Sequence, residues 1–181
     1  SEKDGKELIE LAKKSIISSF SHETIELNHY KKKYSEERGC FVTLKKDGEL
    51  RGCIGFPLPI YKLYDAVFKA ARAAAFDDSR FPPVDKDEIH HLEIELSVLS
   101  VPKKIEVDSP DEYLKKIEVG KDGLIIKYQM YSGLLLPQVP IEWKWDALEY
   151  LENLCQKAGL PSNAWKEDGV TIESFQAQVF N

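Results

Sequence analysis

The sequence predicts an α+β fold with a mainly antiparallel sheet flanked by helices, and three observations carry that reading. An Asp47-Gly48 pair sits between two strand-like runs, the signal of a tight hairpin. Residues 92–99 alternate apolar and polar, as a half-buried strand does. Stretches of helical periodicity are interleaved with hairpins instead of alternating strand by strand, which disfavours parallel βαβ units.

The elements follow in order. Residues 4–20 repeat Leu8, Leu11, Ala12, Ile16 and Phe20 at helical spacing, with Asp4 able to cap the first turn. The stretch 21–38 is polar and irregular. Two strands, 40–44 and 49–54, then flank Lys45-Lys46-Asp47-Gly48. A two-residue turn pairs Lys46 with Glu49, and so places Leu44 opposite Arg51, Val42 opposite Cys53 and Cys40 opposite Gly55. Phe41, Thr43, Leu50, Gly52 and Ile54 would share the other face. Pro57 and Pro59 end the second strand. An alanine-rich helix over 61–76 is expected against the sheet, because small side chains let backbones approach. Residues 77–83 close on a Pro pair that cannot continue a helix.

After the 92–99 strand, Ser109-Pro110-Asp111-Glu112 opens a short helix. Asp122-Gly123 leads into a strand over 124–129, a turn at Tyr131-Ser132-Gly133 and a returning strand over 134–139, where Pro137 marks an edge or a bulge. Asp146 and Glu149 cap a helix with the stripe Leu148, Leu151, Leu154, Cys155 and Ala158, stopped at Gly159. Residues 171–180 form a last strand.

Length and composition bound the function. The 181 residues, 43% hydrophobic and 31% charged, suit one core with room for two lobes, and a single domain over 1–181 is expected. No apolar run reaches the ~20 residues of a membrane helix. The first residues carry no basic-then-apolar leader, so a cytoplasmic protein is expected. The net charge of −6 disfavours non-specific nucleic-acid binding, which needs clustered cations. The run Lys31-Lys32-Lys33 reads as solvated surface. The cysteines Cys40, Cys53 and Cys155 are odd in number and lack CxxC spacing, which points away from a disulfide framework and towards a reducing compartment.

Leu50-Arg51-Gly52-Cys53-Ile54-Gly55-Phe56 resembles the signature of the AMMECR family. Asp78-Ser79-Arg80-Phe81-Pro82-Pro83, Glu95-Leu96-Ser97-Val98-Leu99, Gly123-Leu124-Ile125, the stretch Tyr131 to Val139, and Cys155 to Pro161 followed by Trp165 match in the same order. The first 38 residues carry no matching block. The resemblance implies an α+β fold with a larger and a smaller lobe and no settled biochemical activity. It also implies an association with Memo-type and radical-SAM proteins as partners.

The residues themselves offer candidate chemistry. Cys53 is a candidate nucleophile or acid/base, since a nearby cation such as Arg51 favours a thiolate. Packing beside Val42 is the structural alternative. Gly52 and Gly55 leave room for a ligand or for another backbone. Cys40 would lie diagonal to Cys53 at about 7–8 Å, too far for a disulfide without distortion. Glu95 is a candidate base and Ser97 a donor if their strand face lines a cleft beside Cys53. Arg80 could hold an anionic substrate or brace its loop through Asp78, and Gln138 could read an amide edge. The histidines His22, His29, His90 and His91 read as surface groups, and no spacing suits a metal. Trp143, Trp145 and Trp165, with Tyr128 and Tyr131, could stack on bases, though core packing is the better reading for at least two of the tryptophans. No cofactor is expected.

Whether the chain is an enzyme stays open on sequence. The leading expectation is an intracellular enzyme or enzyme subunit. It would act on a small or nucleotide-like substrate around Arg51-Gly52-Cys53-Ile54-Gly55, with no membrane involved. The alternative is a non-catalytic module that docks a Memo-type or radical-SAM partner through the signature hairpin and the 133–139 strand.

Overall fold

Ser1 opens the first helix, α1 (Glu2–Ile17), in place of the expected Asp4. The Ser1 hydroxyl accepts the Asp4 N–H while Asp4, at the third helical position, reaches back to the cap, a reciprocal arrangement that satisfies two end donors. The structure is a computed structural model that describes residues 1–21 and 24–181; His22 lies outside them. The chain divides into two compact units, Ser1–Leu99 with Gln178–Asn181, and Ser100–Ala177. The α+β class with antiparallel sheet and flanking helices is as the sequence predicts.

In the first unit, β1 (Cys40–Lys46) lies between β2 (Glu49–Phe56) and β3 (Leu92–Leu99), both antiparallel to it. The helix α2 (Asn28–Lys33) falls where an irregular stretch was expected, and it carries the three lysines in its last turn. One sheet face is apolar: Val42, Leu44 and Leu96 are fully buried with Leu8 and Leu11 of α1 and the alanines of α3 (Leu63–Phe76). A side chain on Gly52 would collide with the Ala74 carbonyl. That contact explains both the glycine and the alanines, because the helix backbone rests directly on β2.

The hairpin register corrects the expectation. The turn residues Asp47 (φ 53°) and Gly48 (φ 80°) are both left-handed, the type I′ geometry, and Lys46 pairs with Glu49 as predicted. One residue, Arg51, is then extra: Lys45 pairs with Leu50, but Leu44 pairs with Gly52. This β-bulge shifts every later pair by one. Cys53 therefore faces Thr43, not Val42, and Cys40 faces Phe56, not Gly55. Gly52 and Ile54 join Val42 and Leu44 on the core side. Cys40 is buried on the core side while Cys53 is half-buried on the other, so the diagonal cysteine pair does not exist.

In the second unit, β5 (Asp122–Tyr128) pairs with β6 (Tyr131–Leu135) and β7 (Thr171–Phe180), and β4 (Lys103–Lys104) joins the far side of β7. The last residues of β7 belong to the first unit. The β5–β6 turn sits at Gln129-Met130, not at 131–133, with Gln129 at φ 53°. Gly133 is within β6 because α6 (Ala147–Lys157) ends against it: a Cβ there would come within 2.7 Å of the Ala158 nitrogen. The expected strand stops at Leu135, and residues 139–143 form a short helix, α5 (Val139–Trp143), with Pro140 in its first turn. Asp146 and Glu149 cap α6 as predicted. Tyr150 takes the buried position on that helix and Leu148 faces solvent. Near Ser109 the chain forms a 3-10 turn (Pro110–Glu112) and then α4 (Tyr113–Lys116), with no side-chain cap from the serine.

Candidate functional site

β2 is the edge strand of the first unit's sheet, and an edge leaves backbone donors and acceptors unpaired. Cys53 shows how one such position is closed. Its N–H donates to Asp78 Oδ2 at 2.9 Å, and its carbonyl accepts from Arg80 Nη2 at 3.2 Å. Arg80 holds the Asp78 carboxylate in a two-pronged grip, Nε to Oδ1 at 2.9 Å and Nη2 to Oδ2 at 2.7 Å. Asp78 is buried while Arg80 is half-exposed. Arg80 first, then the Cys53 and Arg80 backbone amides, holds the Asp78 carboxyl well below the usual carboxylate range despite burial. The carboxylate in turn raises the guanidinium.

The Cys53 side chain points to the open face of the sheet. Thr43, directly opposite on β1, puts Oγ1 3.2 Å from Cys53 Sγ, within hydrogen-bond range for sulfur. Thr43 also pairs with Glu95 of β3, so Cys53, Thr43 and Glu95 form one row across three strands. Two strand spacings put Cys53 and Glu95 roughly 10 Å apart at Cα. Lys45, one step along the same face, holds Glu95 Oε2 at 2.9 Å. Phe41 and Ser97 form the next row with Gly55. The Phe41 ring covers Gly55 so closely that no side chain would fit.

Arg51, expected beside the thiol, is committed elsewhere by the bulge. It grips Glu88 with Nε at 3.2 Å and Nη2 at 3.0 Å, and donates to the carbonyls of Pro82 and Pro83. Lys46 adds a contact to the same carboxylate at 2.9 Å. Arg51, then the Asp85 N–H and Lys46, depresses Glu88 to about 2. Two arginine–carboxylate clamps, Arg80–Asp78 and Arg51–Glu88, thus hold residues 77–91 along the β2 edge.

The sequence candidates therefore separate. Cys53, Glu95, Ser97 and Arg80 are brought to one sheet face or its edge. Gly52 and Gly55 are each accounted for by a neighbour's close approach, and Arg51 anchors a loop. Gln138 is exposed in the second unit, at the start of α5. His90 and His91 are exposed, and His29 sits 3.3 Å from Glu7. Among the described residues, no three His, Cys, Asp or Glu are grouped to hold a metal ion. Trp165 is core; Trp143 is exposed and stacks on Trp145 at 6.1 Å. Sequence reasoning missed Thr43, Lys45 and Glu88. Only Glu88 had a signal, as the third position after Asp85 in a capping box that opens a 3-10 turn (Lys86–His91).

The chain is of the α+β class, an antiparallel sheet flanked by helices. The AMMECR1 family model matches residues 9–180, and the chain belongs to that family. It is similar to Protein MJ0810 of Methanocaldococcus jannaschii, 48% identical over 98% of this chain and 89% of the relative. It is 50% identical to Protein MK0488 of Methanopyrus kandleri over 98% of this chain and 87% of the relative. Among solved structures, it resembles uncharacterized protein PH0010 from Pyrococcus horikoshii. The TM-score is 0.77 at 44% identity, covering 97% of this chain and 89% of that one.

Proposed function

We propose that this AMMECR1-family chain is an intracellular, cytoplasmic enzyme or enzyme subunit whose reactive group is the Cys53 thiol on the open face of the β2-β1-β3 sheet. One observation carries the reading: Cys53 is only partly buried, with its thiol beside Thr43, while its backbone is fixed on both sides by Asp78 and Arg80. Fixing a nucleophile's backbone lowers the cost of orienting it towards a substrate. In this scheme Cys53 attacks or shuttles a proton, Thr43 orients the sulfur, and Glu95 acts as base on a ligand lying across Thr43. Arg80 uses Nη1, which has no partner among the described residues, to hold an anionic group of a small or nucleotide-like substrate. Arg51 serves as the anchor of the 77–91 loop.

The test compares the alkylation rate of Cys53 at neutral pH in the folded chain with its rate in denaturant. A folded-state rate at or above the denatured rate supports a reactive centre. A folded-state rate at least tenfold slower sinks it.

A second reading is a module docking a Memo-type or radical-SAM partner. One observation favours it: Ile141 and Trp143 of α5 are mostly exposed apolar side chains on a short helix, a pairing typical of interface anchors. Retained capture of a purified Memo-type or radical-SAM protein by Cys53→Ser, and loss of it in Trp143→Ala, would favour this reading.

A further inference from the structure

We draw no further inference here: the strongest candidate, the uncharged outer edge of β6 (Tyr131–Leu135) beside the exposed Met130 in the second unit, is a short edge strand, and nothing in the structure shows what covers it.

Discussion

The backbone N–H of Cys53 donates to Asp78 Oδ2 at 2.9 Å, so a buried carboxylate takes the place of the missing neighbour strand at the β2 edge. Arg80 closes the other side of the same peptide, and the buried charge is paired. Removing the carboxylate leaves an unpaired edge amide and frees the arginine. Asp78→Ala is expected to destabilise the chain by about 1–3 kcal/mol, the cost of stranding a buried hydrogen-bonding group. Arg80→Ala should cost at least as much, because it leaves the buried Asp78 carboxylate without its cation. Denaturant midpoints of the two variants check the order, and equal midpoints with wild type for Asp78→Ala would show that the clasp contributes nothing.

Gly52 and Gly48 test two different reasons for a glycine. A Cβ at Gly52 meets the Ala74 carbonyl of a packed helix, which cannot retreat without opening the core. Gly52→Ala should therefore cost about 1–3 kcal/mol or more by overpacking. Gly48 has open space but φ of 80°, so Gly48→Ala meets only the left-handed backbone penalty of about 1–2 kcal/mol. Thermal or urea unfolding of the pair should rank Gly52→Ala as the more damaging, with loss of helix signal before the transition.

Much of this arrangement was legible in the sequence, and the part that was not has a physical cause. Period-two alternation placed β3 to the residue, and Asp47-Gly48 fixed the hairpin turn. The same turn rule gave the wrong face for Cys53, because nothing in Glu49-Leu50-Arg51-Gly52 announces a bulge. The bulge is selected by tertiary contacts: Arg51 swings out to Glu88 and the proline carbonyls while Gly52 takes the helix. The partners of the Arg51 side chain and of the Cys53 backbone lie more than twenty residues away, and local pattern carries no record of them. The β6 turn was displaced for a related reason. Gly133 looked like a turn residue, yet it is a strand residue that α6 crowds.

The three thiols should separate by burial. Cys40 is fully buried, and desolvation pushes its thiol up to about 12; burial raises Cys155 as well. Under native conditions a thiol-reactive chromophore should therefore titrate one group per chain, and Cys53→Ser should abolish that signal. In denaturant all three should react. Native labelling of two or more groups would contradict the buried placement of Cys40 or of Cys155.

Glu88 sets the pH window of the loop clamp. Its folded value of about 2 lies below the ordinary value of 4.5 because Arg51, the Asp85 amide and Lys46 favour the carboxylate. The unfolded chain thus binds the proton more readily than the folded one. Stability from this group is complete above about pH 4.5 and is lost as pH falls towards 2. Asp78 adds a loss of the same sign, beginning below its ordinary 3.8. Glu88→Gln should flatten the dependence of the unfolding free energy on pH between about 4.5 and 2, while lowering stability at neutral pH by about 1–2 kcal/mol through the weakened grip on Arg51. Urea denaturation of wild type and variant at several pH values reads both effects, and parallel pH curves for the two would refute the Arg51–Glu88 clamp as the source of acid sensitivity.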